Sequence, residues 1–574
     1  MASIQRVKLA INAANIPFVS TQASRAVVVP SADSSARSPV AFSGNQESLD
    51  HNVAQVIYAE NVLPVAEGIR SVSFRSLIPP SPHSDFDSVF PLRDADENHI
   101  LFSPSFGRNY IHNPTTNTWA ASPTIPAIWA ANLAAGIDIT RSRVTYCYVD
   151  GQTFVCYSRL HGTLTAPPHT AIDMSIMRWN PATQSLQPST GFITNLPFPI
   201  GEIDGIASSA GFLIVWSGIS IAWAPFTGTA FDFSPIINMG FSGAGRQIPQ
   251  DIKGPITTII SAGSGFIAFT ARNAIGASFH ANNISSPWVF REIPSVGGLE
   301  SYEQATVETQ LERLVALTTS GLQTISINSG SAVFPSLADF ITGRRFETYS
   351  APDKRLFPTA VNTDIFVKIN AIGSRYLAIS YGFFPGIFSF ALVYDSQLQR
   401  WGKIRLVHRD CFNYIYKAPM VALTYGNLVD VSYAATLPRS YAEMNITPTG
   451  LTPAQHAMAF LLETGEVRVA SWSTENTVDS HNAVAILGAV QLSRTRNIQL
   501  NRIEVEGMHN GTISVQTSSN GRTIDTVVPT TIIEQAQDLQ IAGCMVDCKN
   551  FNLVIEGNFN LSTLIVEALP TGRV

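Results

Sequence analysis

The stretch at residues 205–231, GIASSAGFLIVWSGISIAWAPFTGTAF, decides the fold class. It contains no charged residue, and it is long enough to cross a membrane as a helix. Serine, glycine and proline residues nevertheless divide it into two apolar runs, FLIVWS and ISIAWA, which flank Gly218. Short apolar runs on either side of a glycine are typical of a buried hairpin. The stretch therefore predicts paired strands in a protein core and argues against a membrane span.

The same arrangement recurs along the chain. Four further pairs of apolar runs flank a glycine-bearing turn: YCYV and FVCY at Asp150-Gly151, TTIISA and FIAFTA at Gly263-Ser264-Gly265, LVALTT and LQTISI at Ser320-Gly321, AMAFLLE and EVRVAS at Thr464-Gly465. Helical periodicity is nearly absent. The one alternative is residues 302–317, where Val307, Leu311, Leu314 and Val315 could form a helical stripe. The class predicted is all-β.

A weaker repeat is superimposed on the hairpins. Asn113-Pro114 is followed by Trp119, Asn180-Pro181 by Leu186, and Asp395-Ser396 by Trp401, always six positions after the Asn or Asp. The short polar side chain is expected to bond its own backbone in a turn, after which the large apolar residue enters the core. Irregular copies of such a unit indicate propeller blades, with unrelated hairpins as the alternative.

These observations predict three regions. Residues 1–55, which include SADSSARSPVAFSGNQES, are expected to form an extended N-terminal arm. Residues 56–479 are expected to form an irregular β-propeller of six or seven blades. Residues 480–574 are expected to form a C-terminal β-sandwich, because Asn510-Gly511 and Asn520-Gly521 separate alternating strands.

Composition restricts the function. Charged residues are 14% of the 574-residue chain, against about 25% in an average protein. The 36 basic and 42 acidic residues give a net charge of −6 and no basic run, so nucleic acid is not attracted electrostatically. Low charge suits a subunit that buries lateral faces in an obligate assembly. Five cysteines are too few for a disulfide scaffold, and the N-terminus is interrupted by Asn12, Asn15 and Pro17, so we expect cytoplasmic synthesis without a secretion signal.

Catalytic and cofactor motifs are missing from the sequence. There is neither a G-x-S-x-G nucleophile elbow nor a Walker phosphate loop. Gly243/Gly245 and Gly263/Gly265 lack the third glycine of a dinucleotide loop and are interpreted as turns. No motif selects a glycosidase pair among the 42 acidic residues. We predict that the protein is not an enzyme and has no catalytic or cofactor-binding residue.

Two residue groups could be considered as metal ligands. Cys544 and Cys548 could supply two thiolates, but a structural zinc site needs four ligands. The cluster Asp94, Asp96, Glu97 and His99 lacks the glycine and distal glutamate of a calcium loop. We expect free, buried cysteines, a solvated acidic loop and no metal site.

Three stretches resemble tail proteins of short-tailed double-stranded DNA phages, the group of β-propeller nozzle (tail tubular B-like) and packaged-DNA stabilisation proteins. The first is YAENVLP from Tyr58, continued by EGIRS from Glu67. The second is Val393-Tyr394-Asp395 with Arg400-Trp401-Gly402, and the third is GNFNLSTLIVEALPTGRV from Gly557, after SRTRNIQL.

The resemblance implies a virion protein in the phage tail, made in the host cytoplasm. It would form a ring of six that surrounds or plugs the DNA exit channel, beneath the portal and adaptor and beside other tail proteins such as fibres, and it would act in genome retention and ejection. An acidic lumen would let DNA pass without binding it. The alternative is a receptor- or glycan-binding propeller on the virion surface, and a propeller hydrolase is the third possibility.

Overall fold

A computed structural model of the chain describes residues 5–12, 52–65, 68–78, 88–93, 99–105, 108–113, 118–121, 144–157, 176–189, 191–198, 202–234, 243–281, 286–308, 313–334, 366–373, 375–382, 384, 386–398, 400–416, 455–471, 483–490, 497–518, 526–536, 539–548 and 550–571. Apart from one 3-10 turn, Tyr302–Gln304, the regular elements of these residues are strands. The predicted all-β class is confirmed. Residues 302–317, the one helical alternative, contain that turn, the whole strand Ala305–Glu308 and most of the strand Arg313–Thr318.

The strands, in chain order, begin with five that precede the first blade: β1 (Gln5–Asn12), β2 (Asn52–Glu60), β3 (Val62–Val65), β4 (Gly68–Ser71) and β5 (Ser73–Ile78). Blade 1 consists of β6 (Phe90–Arg93), β7 (His99–Ser105), β8 (Arg108–Asn113) and β9 (Thr118–Ala121). Blade 2 consists of β10 (Val144–Val149), β11 (Gln152–Tyr157), β12 (Ile176–Asn180) and β13 (Ser185–Pro188).

A short strand β14 (Ile193–Thr194) precedes blade 3, which consists of β15 (Gly205–Ser209), β16 (Phe212–Ser217), β17 (Ser220–Pro225) and β19 (Gly245–Gln247), with β18 (Phe231–Asp232) paired to β14. Blade 4 consists of β20 (Ile256–Ala262), β21 (Gly265–Thr270), β22 (Asn273–Phe279) and β23 (Trp288–Gly297). Blade 5 consists of β24 (Ala305–Glu308), β25 (Arg313–Thr318), β26 (Gly321–Ser326) and β27 (Ser329–Phe334).

Blade 6 consists of β28 (Phe366–Ile372), β29 (Tyr376–Gly382), β30 (Phe388–Asp395) and β31 (Arg400–His408). Blade 7 consists of β32 (Asp410–Tyr416), β33 (Gln455–Leu461), β34 (Val467–Ser471) and, from the N-terminal side, β5. The remaining strands are β35 (Val484–Val490), β36 (Asn497–Ser518), β37 (Thr526–Pro529), β38 (Thr531–Ala536), β39 (Leu539–Cys548) and β40 (Asn550–Thr571).

These four-stranded units form a β-propeller. Six of them are separate sheets, and blade 6 is a four-stranded meander that continues through β3 into a larger sheet. The first strand of each blade contacts the first strand of the next from blade 2 to blade 7, and β32 contacts β6. Phe90 of blade 1 stacks on Tyr146 of blade 2, with ring centroids 4.6 Å apart, so blades 1 and 2 are also in contact. Apolar clusters fill the spaces between successive blades from blade 1 to blade 5, between blades 6 and 7, and between blades 7 and 1. Both faces of blades 1, 2, 3, 4 and 7 are therefore covered by apolar contacts.

The ring is closed by a strand from the other end of the propeller sequence. The outer strand of blade 7 is β5, which pairs antiparallel with β34 in a register that joins Ser73 to Ser471. Phe74 of β5 is fully buried and meets the Phe460 ring edge-on at 5.6 Å. To open the ring, β5 would have to separate from β34. This separation would expose apolar surface and also break the hydrogen bonds between the two strands.

The Asn/Asp repeat lies at one position in the blade. All three copies form the hairpin between the third and fourth strands, with His112 opposite Trp119, Trp179 opposite Leu186, and Tyr394 opposite Trp401. The Asn180 side-chain oxygen accepts N–H bonds from Ala182 and Thr183, and the Asp395 carboxylate does the same for Gln397 and Leu398. Leu186 and Trp401 are buried, as predicted, whereas Trp119 is half-buried.

The strands outside the ring build one large sheet with blade 6. Its order is β1, β2, β35, β40, β4, β3, β31, β30, β29 and β28, and β36 to β39 branch from β40. The long strands β36 and β40 pair along nearly their full length. Gly507 and Gly557 have φ values of 119° and 114°, and the pairing register shifts between Glu506 and Gly507. Ser71 donates to the Phe559 carbonyl and accepts from its N–H.

One predicted turn is wrong. Asn510-Gly511 lies inside β36, opposite Asn558 and Gly557 of β40, and not between two strands. A side chain at Gly511 would meet the Glu556 carbonyl oxygen, so the glycine permits close approach of two strands rather than a hairpin. Asn520-Gly521 lies outside the described residues.

The three predicted regions remain predictions as domains. Strand β1, from residues 1–55, pairs antiparallel with β40 and parallel with β2, and β35 pairs with both β2 and β40. Residues from both ends of the chain thus share one apolar core. Within the described ranges, no helix has the length and hydropathy needed to cross a membrane.

Candidate functional site

The propeller has two faces that differ in which turns they carry. We call upper the face with the turns between second and third strands and the connections between blades, and lower the face with the other turns. Lys368 lies near the upper end of β28, Asp410 begins β32, and Glu303 precedes β24. These inner strands bring the three side chains together at the upper end of the propeller axis. We call Glu303, Lys368, Asn370 and Asp410 the axial cluster.

The Asp410 carboxylate is the centre of the axial cluster. One oxygen lies 2.8 Å from Lys368 Nζ and 3.4 Å from Asn370 Nδ2. The other oxygen accepts the Val89 N–H at 3.1 Å, just before blade 1 begins. Lys368 Nζ also lies 3.6 Å from a Glu303 oxygen, ahead of blade 5. Asp410 of blade 7 thus connects blades 6 and 1 directly, and blade 5 through Lys368.

Charge within the axial cluster is compensated. Burial lowers the pKa of Lys368, but the Asp410 and Glu303 carboxylates raise that pKa by more, so the amine is protonated. The pKa of Asp410 is raised above its ordinary value, because burial and, to a smaller extent, the Glu303 charge outweigh the lowering effect of Lys368 and the Val89 N–H. A carboxylate with three donors is expected to be ionised at neutral pH. The axial cluster links the inner strands to one another. Both of its carboxylates interact with the Lys368 ammonium group, so neither is available to act on a substrate.

Tyr146 of blade 2 lies beside the same axis. Tyr146 is 46% exposed, although its ring stacks on that of Phe90. Burial and then the Asp410 charge raise the pKa of its hydroxyl. An exposed side chain on the innermost strand of blade 2 is consistent with a residue that lines the axial opening.

Ser380 and His408 form a pair that resembles a nucleophile and its base. His408 Nε2 lies 2.7 Å from Ser380 Oγ, and Nδ1 lies 2.7 Å from the Leu406 carbonyl oxygen. Both residues are fully buried, so no substrate can reach the hydroxyl. Burial lowers the pKa of His408 to about 4, with the Leu406 bond opposing and the Lys368 charge adding to the shift. The pair is a satisfied polar contact within blade 6.

The His408 pKa predicts a loss of stability in acid. The folded protein keeps His408 neutral down to about pH 4, whereas the unfolded chain binds a proton below its ordinary pKa of 6.5. Stability is therefore fully present above pH 6.5 and falls by up to about 3 kcal/mol as the pH drops to 4. Urea unfolding of wild type and His408→Gln across this range should give curves that converge toward pH 4. Parallel curves would contradict the assignment.

The other residues considered from sequence lie apart from the axial cluster. All five cysteines are free and buried, and burial raises the pKa of Cys544 to about 11 and that of Cys548 to about 12. Cys147 and Cys156 lie on neighbouring strands of blade 2. Gly263 and Gly265 flank a turn, and Gly245 packs on Trp223. Asp94, Asp96 and Glu97 lie outside the described residues, as does the side chain of His99. No group of three metal-ligating side chains occurs in the described part of the chain.

A second polar group lies where blade 6 meets β3, and we call β3, β4, β31 and β40 the junction. Val62 of β3 pairs with Lys403 of β31, and the Asn61 side chain accepts the Arg405 N–H at 2.9 Å. Arg405 Nη1 lies 3.4 Å from a Glu60 oxygen. Lys403 is 1% exposed, with Nζ 4.5 Å from the centre of the Phe390 ring. Burial lowers its pKa to about 8, against the opposing effect of Glu60 and with a smaller contribution from Arg405.

Lys403 predicts a gain of stability in alkali. Between about pH 8 and its ordinary pKa of 10.5, the unfolded chain keeps the proton that the folded protein has released. Stability should rise over this range by up to about 3 kcal/mol from this residue alone. Lys403→Met removes the titrating group, so the stability of wild type in urea unfolding should rise relative to that of the variant as the pH increases from about 8. A constant difference would show that Lys403 is not the source.

The axial cluster was not predicted from sequence. Glu303, Lys368 and Asp410 are single charged residues in three separate blades, and no spacing connects them. The available signal is a charged residue within or beside an apolar strand, as in DCFNYIY from Asp410. That signal marks burial of a charge but not its partners.

No protein-family model matches the chain, and no curated protein matches it either. Among solved structures, the extracellular domain of a protein assigned to a one-component system in B. thetaiotaomicron is 11% identical, with a TM-score of 0.37, covering 92% of this chain and 64% of that chain. YCF48 from Cyanidioschyzon merolae is 12% identical, with a TM-score of 0.32, covering 60% of this chain and 93% of that one. An exo-β-1,3-galactanase from Phanerochaete chrysosporium is 9% identical, with a TM-score of 0.24, covering 74% and 95%. At these identities and scores the functions of these proteins do not transfer to this chain.

Proposed function

We propose that this protein is a non-enzymatic structural component of a phage tail, a nozzle or tail-tube subunit. Copies of it form a ring that surrounds or plugs the DNA exit channel and takes part in genome retention and ejection. Its partners are further copies of itself and adjacent tail proteins.

The observation that carries the proposal concerns the three stretches with a resemblance to phage tail proteins. More than 150 residues lie between each stretch and the next in sequence, yet they are neighbours in one sheet. Strand β40 pairs with β4, β4 with β3, β3 with β31, and β31 with β30. A chance likeness in three distant segments has no reason to assemble in one place. Their adjacency supports the interpretation that they are parts of a single structural unit.

The build of the molecule suits a rigid wall. β5 closes the propeller, and the junction ties blade 6 to strands from both ends of the chain. The axial cluster links four blades through compensated charges. Each device resists separation of elements distant in sequence, which is what a conduit under internal pressure requires.

Labelling of phage particles tests the proposal. Particles that carry a copy tagged at the C-terminus, after Val574, should show gold label on the tail by electron microscopy, in a ring around its axis. An untagged particle preparation is the control. Label on the capsid or on no particle would refute the tail assignment.

The alternative, a receptor- or glycan-binding propeller, is favoured by one observation. Tyr146 and Tyr148 are both exposed and alternate along β10, so they project from the same side of the strand. Aromatic rings in such a row can stack on sugars. Binding of the purified chain to a glycan array, lost in Tyr148→Ala, would support this alternative, and an array without signal would remove it.

A further inference from the structure

Exposed large apolar side chains are concentrated on the upper face of the propeller. In the described part of the propeller, eight large apolar side chains are exposed. Tyr146 and Tyr148 lie on strand β10, and the other six lie on the upper face. The six on the upper face are between 37% and 66% exposed, and they are Ile219, Ile248, Tyr302, Phe366, Phe384 and Val407. Single exposed apolar residues need no explanation, but their restriction to one face of a ring does.

Position in the strand order puts these residues on that face. Gly218 and Ile219 form the turn between the second and third strands of blade 3, and Phe384 lies in the same turn of blade 6. Ile248 and Tyr302 lie in connections that lead to the next blade. Val407 is the last residue but one of β31, which ends at the upper face.

Phe384 is the most prominent of them. A bridge to Ile387, with an N–O distance of 3.2 Å, holds it at the end of a hairpin. The segment 376–394 around it contains no charged residue. An aromatic ring whose backbone is held by such a bridge loses less entropy when the ring enters a pocket, which is typical of an interface anchor.

The charges around these residues restrict what can bind. Exposed charged residues in the described turns, connections and strand ends of this face are four acids and three bases: Glu202, Asp251, Glu300, Glu463, Arg246, Lys253 and Arg272. Lys253 is already paired with Glu292 at 2.5 Å. Phosphate groups of DNA or of anionic lipid would be repelled by this acidic excess. If the exposed apolar side chains entered the hydrocarbon core of a membrane, these charged side chains would have to enter it with them, which is costly.

We propose that the upper face binds another protein, one whose surface offers apolar pockets surrounded by Lys and Arg side chains. Ile219 and Phe384 enter the pockets as anchors, and acids such as Glu300 and Glu463 pair with the basic rim. An apolar centre with a polar, charge-complementary rim is the usual anatomy of a protein interface. The inference concerns this face alone and holds whether or not the protein is part of a phage tail.

Photo-crosslinking in the cells that produce the full chain tests the inference. A photo-reactive phenylalanine analogue replaces Ile219 or Phe384 on the upper face, or Asp150 on the lower face as a control. We expect one and the same protein, identified by mass spectrometry, to be captured from both upper positions through a segment of net positive charge, and not from position 150. Glu300→Lys with Glu463→Lys should reduce the yield at least tenfold, whereas the same change at Asp547, outside the propeller, should not.

Four results would overturn the inference. They are equal capture from both faces, capture through acidic peptides, a cross-linked product composed of two copies of this chain, and flotation of the purified chain with vesicles of phosphatidylethanolamine and phosphatidylglycerol that Phe384→Asp abolishes. None of these four results depends on where gold label is found on the phage particle. Failure of this inference can therefore be distinguished from failure of the tail assignment.

Discussion

Replacement of Gly68 by alanine should destabilise the protein by at least about 3 kcal/mol. Gly68 has a φ of 112°, and a Cβ built there would lie 1.9 Å from the Leu561 carbonyl oxygen of β40. Because that oxygen belongs to the backbone of a paired strand, relief would require β4 and β40 to separate. The variant should therefore show a lower midpoint in urea unfolding and weaker protection of β40 amides from hydrogen exchange.

Gly151→Ala is the matched control. Gly151 also has a positive φ, 76°, but nothing lies within 4 Å of the Cβ position. Its replacement should cost about 1 to 2 kcal/mol, the ordinary cost of left-handed backbone in a residue with a side chain. Equal losses in the two variants would mean that the close approach at the junction contributes nothing.

Replacement of Asp410 by alanine should cost about 3 to 5 kcal/mol, since it leaves the Lys368 ammonium with one carboxylate partner in a buried place. It also removes the acceptor of the Val89 N–H, where blade 7 meets blade 1. The protein should unfold at lower urea concentration, with the greatest loss of amide protection in blades 6, 7 and 1. Asp251→Ala, at an exposed position of the same face, should change stability by less than about 0.5 kcal/mol.

The double variant Lys368→Met with Asp410→Leu tests whether the effect of Asp410→Ala arises from loss of the buried ion pair or from loss of packing at the axis. Removal of both charges takes away the unpaired ammonium, so the double variant should be more stable than Asp410→Ala. If it were less stable, packing at the axis and not charge compensation would explain the effect of the single change.

Local patterns predicted much of the propeller. The apolar runs around Gly218 and Asp150-Gly151 could be interpreted because strand, turn and strand are adjacent in sequence. The repeat ending at Trp401 could be interpreted for the same reason, since an Asx side chain bonds its own backbone. The prediction of a turn at Asn510-Gly511 was wrong because the same dipeptide that favours a turn also permits two backbones to approach closely.

The candidate sites depend on contacts between distant segments. Nothing near Asp410 in sequence indicates Lys368 or Val89 as its partners, 42 and 321 positions away. The upper face likewise emerges only when turns of several blades are brought to one side of a ring. Periodicity reports which side of a strand is buried, but not which strands are neighbours.

The sequence alone determined that the chain folds into short apolar hairpins with fixed turns, because those preferences act over a few residues. Tertiary structure decided that β5 closes the ring, that strands from both chain ends share a sheet with blade 6, and which charges meet at the axis. These features arise from pairing across hundreds of residues, where the free energy comes from burying complementary surfaces and no local propensity records the partner.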